Sequence, residues 1–252
     1  MHVTPSTGVT ALCASALRVL AAACADVVAL GSPGACAGCG RPGRAVCETC
    51  QTHLSGGARL HQPSPAPAIW APTHVVAEYA GITRSVINAW KERGRRDVAE
   101  PLARALAVAL DAAVAAYARD AVTGPYAVVP IPSSAAARRR RGEDAWGRVV
   151  RRALAHASSG SQLRLVRCLD LTRQPRDQAD LTAVDRMANL DAALRCVGAP
   201  AGPVIVVDDI VTSGATLAEA TRALRAAGVD LPRAAAIAAT SRTRHRPSPP
   251  HW

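Results

Sequence analysis

Two adjacent aspartates, Asp208 and Asp209, follow the apolar run Val204-Ile205-Val206-Val207. Such a run predicts a buried strand, which would bring the aspartates to the carboxyl edge of a sheet, where open α/β folds bind ligands. Carboxylates repel phosphate but accept hydrogen bonds from sugar hydroxyls. The pair therefore indicates a ribose site. The alternative is an ordinary strand-turn-helix in which the acids cap the helix.

The loop after the aspartates is built from small and hydroxyl-bearing residues: Thr212, Ser213, Gly214, Ala215 and Thr216. A helix is predicted directly behind it, over residues 215–227, with the positive end of its dipole at the loop. Hydroxyls and accessible backbone N–H groups at a helix N-terminus form a cradle for phosphate. Loop and acids together predict a site for a ribose that carries a 5′-phosphate.

Four cysteines are arranged as two C-x-x-C pairs: Cys36, Cys39, Cys47 and Cys50. This spacing suits tetrahedral Zn²⁺, and four thiolates leave no open coordination position, so we expect a structural zinc site. Disulfide or redox pairs are the alternative and would fit an exported protein.

The composition favours an α/β protein with one medium domain and a small appended module. The chain has 252 residues, 49% of them hydrophobic but only 3% aromatic, and no Phe. A net charge of +11 suits a phosphorylated small molecule or a nucleic acid as ligand. We find neither a signal-peptide pattern nor a charge-free apolar stretch of about 18 residues, so we expect no membrane span and a cytoplasmic protein.

Strands and helices are predicted to alternate along the chain. The predicted helices cover residues 9–30, 82–93, 98–119, 144–156, 181–190 and 215–227, and the predicted strands cover 126–129, 163–169, 204–207 and 234–239. The alternation predicts a mainly parallel sheet with right-handed crossovers. The resulting division is a helix and four-Cys module over 1–54, a linker over 55–72, an α/β domain over 73–240 and a disordered basic tail over 241–252.

The segment from Val204 to Thr216 resembles the signature with which type I phosphoribosyltransferases bind 5-phosphoribosyl 1-pyrophosphate (PRPP): four apolar residues, two acids and a Thr/Ser-Gly loop. The whole chain resembles the ComF family, including its GntX-type members. The further motifs that carry this resemblance are the four-Cys module, Tyr79-Ala80-Gly81, Trp90-Lys91-Glu92-Arg93-Gly94, Val129-Pro130-Ile131-Pro132-Ser133, Arg141-Gly142, and the series Gln178, Leu181, Arg186 and Asn189. The resemblance implies a type I phosphoribosyltransferase fold behind a zinc-ribbon-like module.

The resemblance also implies roles for individual residues. Asp208 and Asp209 would steady the ribose during catalysis, and residues 212–216 would bind the 5′-phosphate. The pyrophosphate contacts would fall on Pro130, Ile131, Pro132, Ser133, Ser134, Arg141 and Lys91. A hood loop that closes over the reaction centre would contribute Arg173, Arg176, Gln178 and Arg186. Solvated surface charges are the alternative for the arginines of the hood and of the Arg138–Arg141 run. This sequence has Glu143-Asp144-Ala145 where the family usually has Phe-Asn-Gln.

The activity implied is transfer of a phosphoribosyl group to an unknown acceptor, with release of pyrophosphate and with Mg²⁺ accompanying PRPP. Thr212 stands where purine-salvage members usually carry an Asp, so hypoxanthine or guanine is not the expected acceptor. The second interpretation is an accessory protein of DNA uptake that binds PRPP and interacts with single-stranded DNA or a DNA-processing protein. The scarcity of aromatic residues for base stacking weighs against it.

Overall fold

The structure is a computed structural model and describes residues 34–133, 144–172 and 192–241. The described helices are α1 (Glu48–Gln51), α2 (Gly81–Lys91), α3 (Ala99–Arg119), α4 (Ala145–His156) and α5 (Ala215–Ala226). The described strands are β1 (Arg59–His61), β2 (Thr73–Glu78), β3 (Tyr126–Pro130), β4 (Leu163–Leu165), β5 (Leu169–Leu171), β6 (Leu194–Cys196), β7 (Val204–Val211) and β8 (Arg233–Ala239). The predicted helices over 9–30 and 181–190 and the tail over 242–252 lie outside the described residues.

Six strands form a mostly parallel sheet in the order β1-β2-β8-β7-β3-β4, in which only β1 runs antiparallel to its neighbour. The chain leaves β3 through α4 and returns at β4, whereas it leaves β7 through α5 and returns at β8 on the other side. The connections from β3 and β7 therefore diverge, and such a divergence is expected to leave a crevice between these strands at the carboxyl end of the sheet.

Apolar side chains cover both faces of the sheet, as expected for buried parallel strands. One core contains Ile205 and Val207 of β7 and most of the buried apolar residues of α2, α3 and α4. The other contains Val204 and Val206 with the apolar side of α5 and the β5–β6 hairpin. The alternation along β7 follows the period of two in an extended strand.

The four-Cys module packs on the α/β domain. Cys36, Val46 and Cys50 belong to the same core as Val86 and Trp90 of α2. The side chain of Arg95, just beyond α2, donates a hydrogen bond to the Ala35 carbonyl. The module therefore supports the helix that carries Lys91.

Three sequence predictions need correction. The predicted linker over 55–72 contributes the edge strand β1, whose backbone pairs with β2. The strand predicted over 163–169 is two strands, because the chain leaves the main sheet after β4 and enters the β5–β6 hairpin. The strand predicted over 204–207 continues to Val211, so the two aspartates lie inside it. Within the part of the chain that the structure describes, no helix is both long and apolar enough to cross a membrane.

Candidate functional site

Asp208 and Asp209 lie beside the crevice between β3 and β7. The pairing of β3 with β7 ends at Pro130 and Val207, and the amide of Ile131 donates the last bond, 3.0 Å, to the Val207 carbonyl. Strand β7 continues past this point along β8 alone. Both acids are half-buried. The sequence analysis predicted that the two acids follow the strand. In the structure they lie within β7, on the part of the strand that no longer pairs with β3.

The carboxylate of Asp209 is held by Lys91, the last residue of α2. The ammonium nitrogen lies 3.0 Å from each carboxylate oxygen. Burial alone would lower the pKa of Lys91, but the two aspartates outweigh this effect, so its pKa is raised. Lys91, predicted as a pyrophosphate ligand, thus contacts Asp209, which is one of the two acids predicted to bind the ribose.

Asp208 has a very different environment. One of its oxygens accepts a 2.8 Å hydrogen bond from the amide of Asp209. Burial, and next the charge of Asp209, raise the pKa of Asp208 to about 7, while Lys91 and the amide bond act in the opposite direction. An acid of this kind changes its charge near neutral pH. The pair thus offers one carboxylate held by a cation and one that binds or releases a proton.

The loop after β7 presents backbone N–H groups at the start of α5. Gly214 has a φ of +79° and no side chain caps the helix. Among the described residues, the amides of Gly214, Thr216 and Leu217 have no hydrogen-bond acceptor, and the amide of Ala215 makes only a 3.4 Å contact with the Ser213 hydroxyl. These donors and the helix dipole suit an anion.

An aromatic side chain that the sequence interpretation missed covers this loop. A β-carbon on Gly214 would lie 2.6 Å from Cζ3 of Trp70 and 2.8 Å from Cγ of Pro63. Both residues belong to the segment predicted as a linker. Only glycine therefore fits here, for reasons of space as well as of backbone conformation.

The predicted pyrophosphate loop leaves β3 at the same crevice. Pro130 is the buried last residue of β3, and Ile131, Pro132 and Ser133 follow it half-buried. The structure thus brings this loop to the sheet edge that also carries Asp208 and the 212–216 loop. Ser134, Arg141 and the hood residues Arg173, Arg176, Gln178 and Arg186 lie outside the described residues.

Asp144, one of the residues that depart from the family pattern, has a structural role. Its carboxylate accepts a 2.9 Å hydrogen bond from the amide of Gly147 and caps the N-terminus of α4. It also pairs with Arg167. Burial by itself would raise the pKa of Asp144, but these two partners lower it. The negative charge of Asp144 is therefore balanced by Arg167 and by the Gly147 amide. Asp is as favourable as Asn at an N-cap.

The four cysteines of the module converge. Their sulfur atoms all lie within 4.8 Å of one another, and those of Cys39 and Cys47 are 3.7 Å apart. Tetrahedral zinc with bonds of about 2.3 Å needs sulfur atoms about 3.8 Å apart. The amide of Cys47 points at the sulfur of Cys36. The group can hold a metal ion, and its geometry is compatible with structural zinc.

The cysteines differ in their environments. Burial would raise the pKa of Cys36, but hydrogen bonds from the backbone amides of Cys47, Cys39 and Gly38 outweigh it and lower the pKa to about 6. Burial and the neighbouring cysteines raise the pKa of Cys50. Amides directed at a sulfur favour the thiolate form, which is the form that binds metal.

No family model and no curated protein matches this chain. The crevice combines an acid pair, a second loop from β3 and a helix N-terminus whose first amides have no acceptor among the residues that the structure describes. Carboxylates accept hydrogen bonds from hydroxyls, and amides at a helix N-terminus suit an anion.

Proposed function

We propose that the protein binds PRPP in the crevice between β3 and β7 and transfers its phosphoribosyl group to an acceptor. The observation that carries the proposal is the placement of two groups on one edge of the sheet, at the point where the connections diverge. These are the Asp208–Asp209 pair and the following amides, which have no acceptor within the described parts of the chain. The loop amides suit the 5′-phosphate, the acids suit the ribose hydroxyls, and the 130–133 loop lies on the opposite side of the crevice for the pyrophosphate.

The proposed transfer exchanges one bond at C1 of the ribose for another. The bond between C1 of the ribose and pyrophosphate breaks, the leaving group takes the electron pair, and a nucleophile forms a new bond to C1. Mg²⁺ bound with PRPP would take up negative charge on the leaving group. The chain's own contribution is to hold the 5′-phosphate at the α5 N-terminus and to place negative charge near a ribose that becomes cationic.

The resemblance to the ComF family and to the type I phosphoribosyltransferase fold is part of the same proposal. It is supported by the order of motifs along the chain and by the four-Cys group that packs beside α2. In this proposal, zinc has a structural role, because its four ligands leave no open position.

Calorimetry with PRPP and Mg²⁺ tests the proposed site. We expect wild type to bind and the D208N/D209N variant to lose most of its affinity, because an amide keeps the shape but removes the charge. The matched control is D230N, since Asp230 is exposed and precedes β8 at the other end of the sheet. Equal affinity of D208N/D209N and D230N would reject the site.

An accessory role in DNA handling is the second candidate. The adjacent Arg151 and Arg152 of α4 favour it, because both are exposed and positive charges suit the phosphates of a nucleic acid. Release of pyrophosphate from PRPP in the presence of candidate amine or base acceptors supports the transferase. PRPP binding without turnover, together with oligonucleotide binding that salt and the R151E/R152E variant weaken, supports the accessory role.

A further inference from the structure

The ion pair between Lys91 and Asp209 joins α2 to β7 across 118 positions of sequence. The ammonium group lies 3.0 Å from both oxygens of the carboxylate. The two side chains are 29% and 17% exposed. A pair this sheltered is screened by salt much less than a surface pair, and both oxygens of Asp209 are engaged by the same cation.

Lys91 is presented from a well-supported position. The preceding residue, Trp90, is buried and packs on Trp146 of α4, with 6.0 Å between the ring centroids. One turn earlier, Asn88 accepts a 2.7 Å hydrogen bond from the hydroxyl of Tyr79, which follows β2. These contacts fix the end of α2 over the sheet edge, so the ammonium group has a defined place beside the acids.

We infer that Lys91 is a positioning residue of the ribose site: it orients the Asp209 carboxylate and keeps the Asp208–Asp209 pair charged. This assignment rests on the proposed function, because the acid pair is the ribose site. It differs from the role in pyrophosphate binding that the resemblance implies, since the cation is already engaged by both oxygens of Asp209.

The charges around the pair determine the direction of its pH response. In the described part of the chain, the titratable groups that act on Asp208 are Asp209 and Lys91, and Tyr79 after β2 acts in turn on Lys91. The lysine lowers the pKa of Asp208 against burial and against the charge of Asp209, with the net result of about 7. Removing the lysine must therefore raise the pKa of Asp208, and the pair then loses charge at a higher pH.

Three variants separate charge from structure. K91M keeps most of the length of the side chain without the ammonium, K91R keeps the positive charge, and D209N removes the partner. At pH 7.5 we expect K91M to weaken PRPP binding about 10- to 100-fold, the range for loss of a charged hydrogen bond, and K91R to restore most of the affinity. In the D209N background, K91M should have little further effect.

Two pH-dependent readouts complete the test. Carboxyl carbon NMR of Asp208 needs no ligand: its titration midpoint, near pH 7 in wild type, should move to higher pH in K91M and stay near 7 in K91R. The ratio of PRPP dissociation constants at pH 6 and pH 8 should be larger in K91M than in wild type. The ionisation of PRPP itself is common to both proteins and cancels in this comparison.

The outcomes separate this inference from the proposed function. An unchanged Asp208 midpoint in K91M, or the same loss of PRPP affinity at pH 6 and pH 8, would overturn the role of Lys91 even if wild type binds PRPP. A wild type that fails to bind PRPP while the Asp208 midpoint still moves in K91M would overturn the proposed function and leave the electrostatic link between Lys91 and the acids.

Discussion

The two glycines that flank α5, Gly214 and Gly228, provide a test of the geometry of the loop before this helix. Gly214 precedes α5 with a φ of +79°, and Gly228 follows the same helix with a φ of +89°. A β-carbon on Gly228 meets nothing within 4 Å, whereas one on Gly214 would lie 2.6 Å from the ring of Trp70. The G214A and G228A variants thus share the backbone strain and differ in the steric clash.

The expected magnitudes follow from these contacts. An alanine in the left-handed region costs about 1–2 kcal/mol, so G228A should lose about that much stability. G214A should lose a further 1–3 kcal/mol or so from overpacking, since the ring and Pro63 must shift. For a domain of this size each kcal/mol corresponds to roughly 2–4 °C in Tm.

Urea denaturation and calorimetry with PRPP provide the readouts. G214A should unfold at lower urea than G228A and should bind PRPP at least about tenfold more weakly, because a displaced loop misdirects its amides. Introducing W70A into G214A removes the clash with the ring and should restore part of the affinity. The recovery should be incomplete, because the clash with Pro63 remains. If G214A and G228A are equally stable and both bind PRPP like wild type, the proposed packing of Trp70 on the loop over residues 212–216 is wrong.

Three further predictions address other parts of the molecule. Removing the metal with a chelator, or the C50S substitution, should lower Tm and weaken PRPP binding, because the module supports α2; a Tm unchanged by chelation would contradict a structural metal. D144A should lower stability by about 1 kcal/mol through loss of the α4 N-cap, measured by urea denaturation, whereas D144N should be nearly neutral. Asp208 has a pKa of about 7 in the folded state, above the value of about 3.9 in an unfolded chain. The protonated acid therefore favours folding, this contribution is complete below about pH 4, and it is lost as pH rises through 7. The stability of D208N relative to wild type should rise from pH 4 to pH 7 and then level off; a constant difference would refute the raised pKa.

Local patterns in the sequence predicted much of this structure. The apolar run before Asp208 specified a buried strand, and the small residues after it specified a turn into a helix, because strand and turn propensities act over a few residues. The cysteine spacing predicted the convergence of the four sulfur atoms for the same reason. The parallel order of the strands followed from the alternation of elements along the chain.

Features that depend on distant residues escaped prediction. Nothing near Lys91 in the sequence indicates Asp209 as its partner, and nothing near Gly214 indicates Trp70. Strand β1 lies in a Gly- and Pro-rich segment and gains its backbone hydrogen bonds only from β2. The split of 163–169 into two strands arises because β4 pairs with β3, whereas β5 pairs with β6. Pairing with distant strands determines where these strands form, and it overrides the local preference of the sequence.

A crystal structure of the protein with PRPP and Mg²⁺ tests the central claim most directly. We predict that the 5′-phosphate lies within hydrogen-bond distance of the amides of Gly214, Thr216 and Leu217, with the ribose hydroxyls at the Asp208–Asp209 pair. PRPP bound at another part of the chain, or a 5′-phosphate remote from the N-terminus of α5, would contradict it.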